Sequence, residues 1–255
     1  MAYSKGITKE EFITEIKKHQ QLDSFRQGFY FKESKGCAVG CSIESIRVLK
    51  NLDNLEHSNH SLYEEYLGIP GWLAHLEDKI FEMLSIDKSK EWPLEFSEAI
   101  NTGSNLDQIK IPFLVYLLEQ NINNLKRQSK TEIVKKSIEV SKQTITALKS
   151  GNKQLIDEVR YIAYTACADT TSYAAYAAAS VADASAAYAI YTIANASAYS
   201  SAYITDNAYA AYIAAAAVEK YKNKLLELIR ECKMKREIKI LNKEFYKTDS
   251  LLLSY

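Results

Sequence analysis

The sequence predicts an all-α protein, or one nearly so, and three observations carry that expectation. All eight glycines and all three prolines lie at or before Gly151, so the chain from Asn152 to Tyr255 contains neither helix breaker. From Tyr161 to Val218 the composition is dominated by alanine, the best helix former. Nowhere does apolar–polar alternation run long enough to mark a half-buried strand; only Phe29 to Phe31 leaves room for a short one. The 255 residues divide into a Cys- and Gly-bearing region of short helices, 1–127, and an Ala/Tyr-rich helical bundle, 128–255, with the boundary in the polar stretch after Asn121.

Taken in order, Thr8 with Glu11 is a capping-box signature, and Phe12 and Ile16 form the buried stripe of the helix behind it. A loop runs from Gly28 through Cys41, and a helix is expected near Ser42 to Leu49. Pro70 suits the first turn of a helix whose Leu73, Leu76, Ile80 and Leu84 share one face. Pro93 is expected to open the next helix, with Phe96 and Ile100 inward, and Pro112 to open the run Phe113 to Leu118. Ser129 and Glu132 read as a second capping box, Ile138, Ser141, Ile145 and Leu148 as the face behind it, and Gly151 as its stop.

In the Ala/Tyr segment the tyrosines recur in pairs three or four residues apart, such as Tyr173 with Tyr176, Tyr188 with Tyr191 and Tyr199 with Tyr203, which puts each pair on one helical face. One continuous helix would be on the order of 85 Å long. Several shorter helices are the preferred reading, broken at Asp169-Thr170-Thr171-Ser172 and Thr205-Asp206-Asn207, because small residues let helix axes approach closely. The bland outcome is a packed bundle in which tyrosines fill gaps. The sharper one is a ligand-binding groove lined by Tyr176, Asp183, Tyr188, Tyr191, Tyr199, Tyr203 and Asp206. A membrane span over Ala184 to Thr205 is disfavoured: the stretch is uncharged and long enough, but poor in Leu, Val and Phe. Beyond Glu219 a basic, solvated face is expected, with Leu225, Ile229 and Cys232 inward.

Composition bounds the function. With 47% apolar and 25% charged residues the chain can fold, and a net charge of zero gives it no field for duplex nucleic acid. Four scattered cysteines do not make a disulfide scaffold, and Met1 to Gln20 has no apolar signal core, so a reducing, cytoplasmic setting is expected.

Chemistry concentrates around Gly36-Cys37-Ala38-Val39-Gly40-Cys41. If Cys41 opens the following helix, the dipole there lowers a thiol pKa, and His60 or His57 could act as base with Glu64 orienting it. Cys37, Cys41, His57 and His60 are also zinc-ligand types, though at an unusual spacing. Against both stands the reading of two structural thiols in a tight loop. Glu77, Asp78 and Glu82 could join His60 in binding metal or moving protons, but exposed carboxylates neutralised by Lys79 are the simpler expectation. His19 and His75 read as surface or boundary residues.

The strings Gln27-Gly28-Phe29-Tyr30, Gly36 to Cys41, His60-Ser61-Leu62-Tyr63-Glu64, Leu67-Gly68-Ile69-Pro70, Leu76-Glu77-Asp78-Lys79-Ile80-Phe81-Glu82 and Trp92-Pro93 resemble a group of uncharacterised bacteriophage and bacterial proteins that also end in Ala-rich helical tracts. The resemblance covers roughly residues 22 to 118 by motif and carries no catalytic assignment. The Ala-rich half is also similar in composition to helical immunity proteins that act against bacterial toxins. What these likenesses imply is a non-enzymatic binding or inhibitor protein acting against a host defence, with a host or toxin protein, or a small nucleotide-like ligand, as partner and no cofactor. The alternatives are a Cys/His- or metal-dependent hydrolase centred on the first half and a homo-oligomeric scaffold built through Ala surfaces.

Overall fold

The computed structural model describes residues 1–127, 131–170, 189 and 207–232. Among the described residues the fold is all-α apart from one hairpin of two short strands. The elements are α1 (Lys9–Gln21), β1 (Phe31–Lys32), β2 (Lys35–Gly36), α2 (Ala38–Lys50), a π-helical turn (Tyr63–Leu67), α3 (Gly71–Met83), α4 (Ile86–Ala99), a 3-10 turn (Leu106–Ile109), α5 (Lys110–Leu125), α6 (Glu132–Ser150), α7 (Lys153–Thr170) and α8 (Asn207–Glu231). Helix α1 packs on α2 and α4, and α3 lies between α2 and α4. Helices α5, α6 and α7 pack in sequence, and α8 returns to lie against α3, α4 and α5.

Several elements form for the reasons the sequence gives. Both bonds of the Thr8–Glu11 capping box are present, and Phe12 and Ile16 are buried behind it. Leu73, Leu76, Ile80 and Leu84 are all buried along α3. Gly151 ends α6 in the left-handed conformation, where an L side chain would be strained. Phe113, Leu114, Leu117 and Leu118 make α5 the centre of the core. From α8, Val218, Tyr221, Leu225, Leu226, Ile229 and Cys232 join that same core. Lys222, expected on a solvated face, is instead buried, paired with Glu95 at 2.5 Å and poised over the Trp92 ring.

Three boundaries differ from expectation. Pro93 does not open a helix; it lies inside α4, which begins at Ile86 behind Ser85. An interior proline costs about 3 kcal/mol, and here the flanking Trp92 and Phe96, both essentially unexposed, supply the compensating burial. Helix α6 is capped by Thr131, whose hydroxyl accepts from Val134 N, and Ser129 lies outside the described residues. Its inner face is Val140, Ser141, Thr144, Ala147 and Leu148, rotated from the expected one, so that Ile138 and Ile145 are only half-buried. Helix α2 starts at Ala38, four residues before Ser42, with Cys37 as its N-cap.

The early start of α2 has a long-range cause. The hairpin turns at Glu33 and Ser34, both at positive φ as a type I′ turn requires. It lays the Tyr30 carbonyl onto Gly36 and Gly40, where an added Cβ would stand 1.8 Å and 1.6 Å from that oxygen. Cys37 N donates to both Phe29 O and Tyr30 O, at 2.9 Å and 3.0 Å, and locks the approach. Lys153–Thr170 and Asn207–Glu231 are helical, the stretch Ala184 to Thr205 lies outside the described residues apart from residue 189, and among the described residues no helix is long and apolar enough to cross a membrane.

Gly36→Ala or Gly40→Ala should therefore lower stability by about 3 kcal/mol or more, the upper range for overpacking. Gly71→Ala, whose Cβ would meet nothing within 4 Å, should stay within about 0.5 kcal/mol of the parent. Urea unfolding followed by circular dichroism measures both.

Candidate functional site

The loop seated on Gly36 and Gly40 is stitched to the C-terminal end of α3. Gln27 Nε2 donates to Phe81 O at 2.7 Å and Leu84 O at 2.9 Å, and Gly28 N donates to the Glu82 carboxylate at 2.9 Å. Gly28 has φ +98°, a conformation L side chains rarely adopt. These bonds bring the start of α2 against the Asp78–Glu82 face of α3, two carboxylates one helical turn apart. The Cys37 thiol and one oxygen each from Asp78 and Glu82 lie within 4.8 Å of one another. Cys37 Sγ accepts from Gly40 N at 3.4 Å, in the N-cap position of α2.

His60 closes the other side. It is only 6% exposed, beneath His75, whose ring stacks on it at 3.7 Å, with Tyr30 edge-on at 5.8 Å. Its Nδ1 lies 2.8 Å from Ser58 O. A carbonyl can only accept, so Nδ1 carries a proton; in the neutral imidazole Nε2 then presents a lone pair. That Nε2 is buried without a hydrogen bond and lies 3.7 Å from Asp78 Oδ2, and Asp78 Oδ1 is likewise buried without a hydrogen bond. Burial raises the Glu82 carboxyl, against the opposing Gly28 N–H, and Asp78 raises it further. Burial lowers His75, and its contact with His60 adds to the effect.

The structure separates the residues that the sequence grouped. Cys41 does not open α2; it is its fourth residue, with Sγ donating to Gly36 O at 3.5 Å, and burial pushes its thiol up to about 12. Burial, then Asp78, pushes the Cys37 thiol up as well. Neither thiol is activated for nucleophilic attack in this state, because the thiolate is the nucleophile. His57 binds Glu44 at 3.1 Å and stacks on Phe31, so the Cys37, Cys41, His57, His60 set is not assembled. Glu64 is exposed on the π-helical turn and makes no bond with His60. Of the candidates, Cys37 belongs to the cluster with Asp78 and Glu82, and His60 borders it through Asp78. Tyr176, Asp183, Tyr188, Tyr191, Tyr199, Tyr203 and Asp206 lie outside the described residues.

Glu77 corrects the expectation of three exposed carboxylates. It points inward from α3, is 1% exposed, and its carboxyl meets no partner but the buried Tyr63 hydroxyl. The buried Tyr63 hydroxyl faces both the Glu77 carboxyl and Ser42. The signal was in the sequence: Glu77 follows Leu76 and lies one turn from Leu73 and from Ile80 and Phe81, on the apolar stripe. Burial raises its carboxyl from 4.5 to about 8, so it is neutral at neutral pH.

The folded state holds the Glu77 proton more tightly than the unfolded chain, where Glu titrates near ~4.3. Its contribution is complete below that value and declines as pH rises toward about 8, where the folded carboxyl also ionises. Glu77→Gln stays neutral throughout. From about pH 5 to about pH 8 the parent should lose stability relative to the variant, by at most about 1.4 kcal/mol per pH unit. Paired thermal unfolding series of the two proteins measure this; parallel pH profiles would mean that Glu77 is ionised in the folded state.

No family model, curated protein or solved structure matches this chain.

Proposed function

We propose that this chain is a binding protein organised around a divalent-cation centre in its first half, with His60, Asp78 and Glu82 as donors. The observation that carries the reading is His60: a buried imidazole whose Nδ1 lies 2.8 Å from Ser58 O and whose Nε2 faces Asp78 without a hydrogen bond. Metal-binding histidines are held in this way, the far nitrogen donating to a carbonyl so that the near one is free to ligate. The half-buried carboxylates beside it support the same reading. Two like charges one turn apart repel one another in a partly desolvated setting, and a cation between them offsets both that repulsion and the loss of water. A thiol hydrolase fits less well, since burial holds both thiols of the loop in the protonated form.

Such a cation links the loop carrying Gly28, the turn carrying His60, and α3. It binds the folded state and not the unfolded chain, so it should raise the thermal midpoint. At a concentration about 100-fold over Kd the gain is about 2.7 kcal/mol, or roughly 5–10 °C for a chain of this size. The test is chelator-treated full-length protein unfolded with Zn2+, Mn2+, Mg2+ or Ca2+ in turn, beside Asp78→Asn. At least one ion should raise the midpoint of the parent, and Asp78→Asn should abolish the rise. If none does so, the reading fails.

A further inference from the structure

Resting on that reading, we infer that Cys37 is the fourth ligand of the centre, entering as a thiolate, and that the site selects a borderline transition ion such as Zn2+, Co2+ or Fe2+ over Mg2+ and Ca2+.

The geometry comes first. His60 Nε2 and Asp78 Oδ2 stand 3.7 Å apart, close to the roughly 3.3 Å edge expected between N and O ligands of a tetrahedral zinc ion. Cys37 Sγ lies within 4.8 Å of oxygens of both Asp78 and Glu82. Cys37, Asp78 and Glu82 offer one group of donor atoms from the N-cap of α2 and one face of α3, and His60 approaches that group through Asp78. The Tyr30 carbonyl fixes the start of α2, and with it Cys37.

The environment of the sulfur also favours the thiolate once an ion is present. Sγ already accepts from Gly40 N at the positive end of α2. With an ion bound, the Asp78 charge is spent on the metal, and the thiol proton leaves to solvent as the sulfur–metal bond forms. The donor set that results has one sulfur, one imidazole nitrogen and two carboxylate oxygens. Mg2+ and Ca2+ prefer oxygen alone, whereas sulfur with imidazole suits zinc and its neighbours. His60 and Glu82 carry their outer partners, Ser58 O and Gly28 N, as metal ligands commonly do.

Cobalt is the probe. Full-length, chelator-treated protein is titrated with Co2+, and the absorption spectrum is read beside Cys37→Ser and Asp78→Asn. Serine is a preferred N-cap, so Cys37→Ser retains the cap of α2 while removing the soft donor. The expected result is one equivalent of Co2+ giving a sulfur-to-cobalt charge-transfer band, displaced by Zn2+ and not by excess Mg2+. Cys37→Ser should lose the band and bind Zn2+ at least about 100-fold more weakly, a loss no smaller than that of an outer partner. If Co2+ binds, with binding abolished by Asp78→Asn, but gives no such band, and Cys37→Ser keeps its Zn2+ affinity, the thiolate inference is overturned while the cation reading stands. If no ion binds, both fall. Should Cys37→Ser fail to fold by circular dichroism, X-ray absorption on the zinc-loaded parent decides: one sulfur at about 2.3 Å supports the inference, and none overturns it.

Discussion

The Tyr30 carbonyl seated on two glycines is the constraint from which the first half is built. It occupies the space that side chains at positions 36 and 40 would need. With it in place Cys37 N has two acceptors, β2 has its partner strand, and α2 has its N-cap. The same loop then reaches α3 through Gln27 and Gly28. A glycine pair four residues apart is thus a contact device, and the cysteine between them is placed by the contact. The arrangement is rigid because each bond uses main-chain groups that burial obliges to pair.

Helix α3 carries the consequences on two faces. Its inner face buries Leu73, Leu76, Ile80 and Phe81, and among them Glu77, a neutral carboxyl at neutral pH. Its outer face carries His75, Asp78 and Glu82 beneath the loop. Adjacent residues Glu77 and Asp78 therefore sit in different dielectric settings. One is fully desolvated and gives up its charge; the other is half-buried, beside His60. Helical period decides this: a step of one residue turns the side chain by about 100°, enough to exchange the core for the cluster.

Local signals were legible in the sequence, and non-local ones were not. The Thr8 cap, the apolar stripe of α3 and the stop at Gly151 each depend on residues within a few positions of one another, and each is as expected. The early start of α2 depends on a carbonyl from a strand turn, and proline 93 inside α4 depends on what Trp92 and Phe96 bury. The candidate site follows the same rule. Its residue types were recognisable, but Cys37 with Cys41 and His57 with His60 were paired because they are close in sequence. The fold instead ties Cys41 to the Gly36 carbonyl and His57 to Glu44, and sets Cys37 and His60 around Asp78. Donors from three segments leave no spacing motif to read.

The site helix is also joined to the second half of the chain. Trp92 Nε1 donates to Glu77 O at 3.0 Å, fixing α3 to α4 at the residue between the two faces. Lys222 of α8 lies over the same indole and pairs with Glu95 on α4. A buried ammonium without its carboxylate costs several kcal/mol, so this pair ties the register of α8 to α4 more strongly than the exposed pair of Lys88 with Glu219 can. Asn101 and Asn105 extend the attachment, Asn101 Nδ2 donating to Arg230 O and Cys232 Sγ to Asn105 O. Helix α8 is consequently part of the body that carries the cluster. The indole of Trp92, with a hydrogen bond to α3 at its nitrogen and an ammonium at its face, is the contact through which the last described helix meets the scaffold of the site.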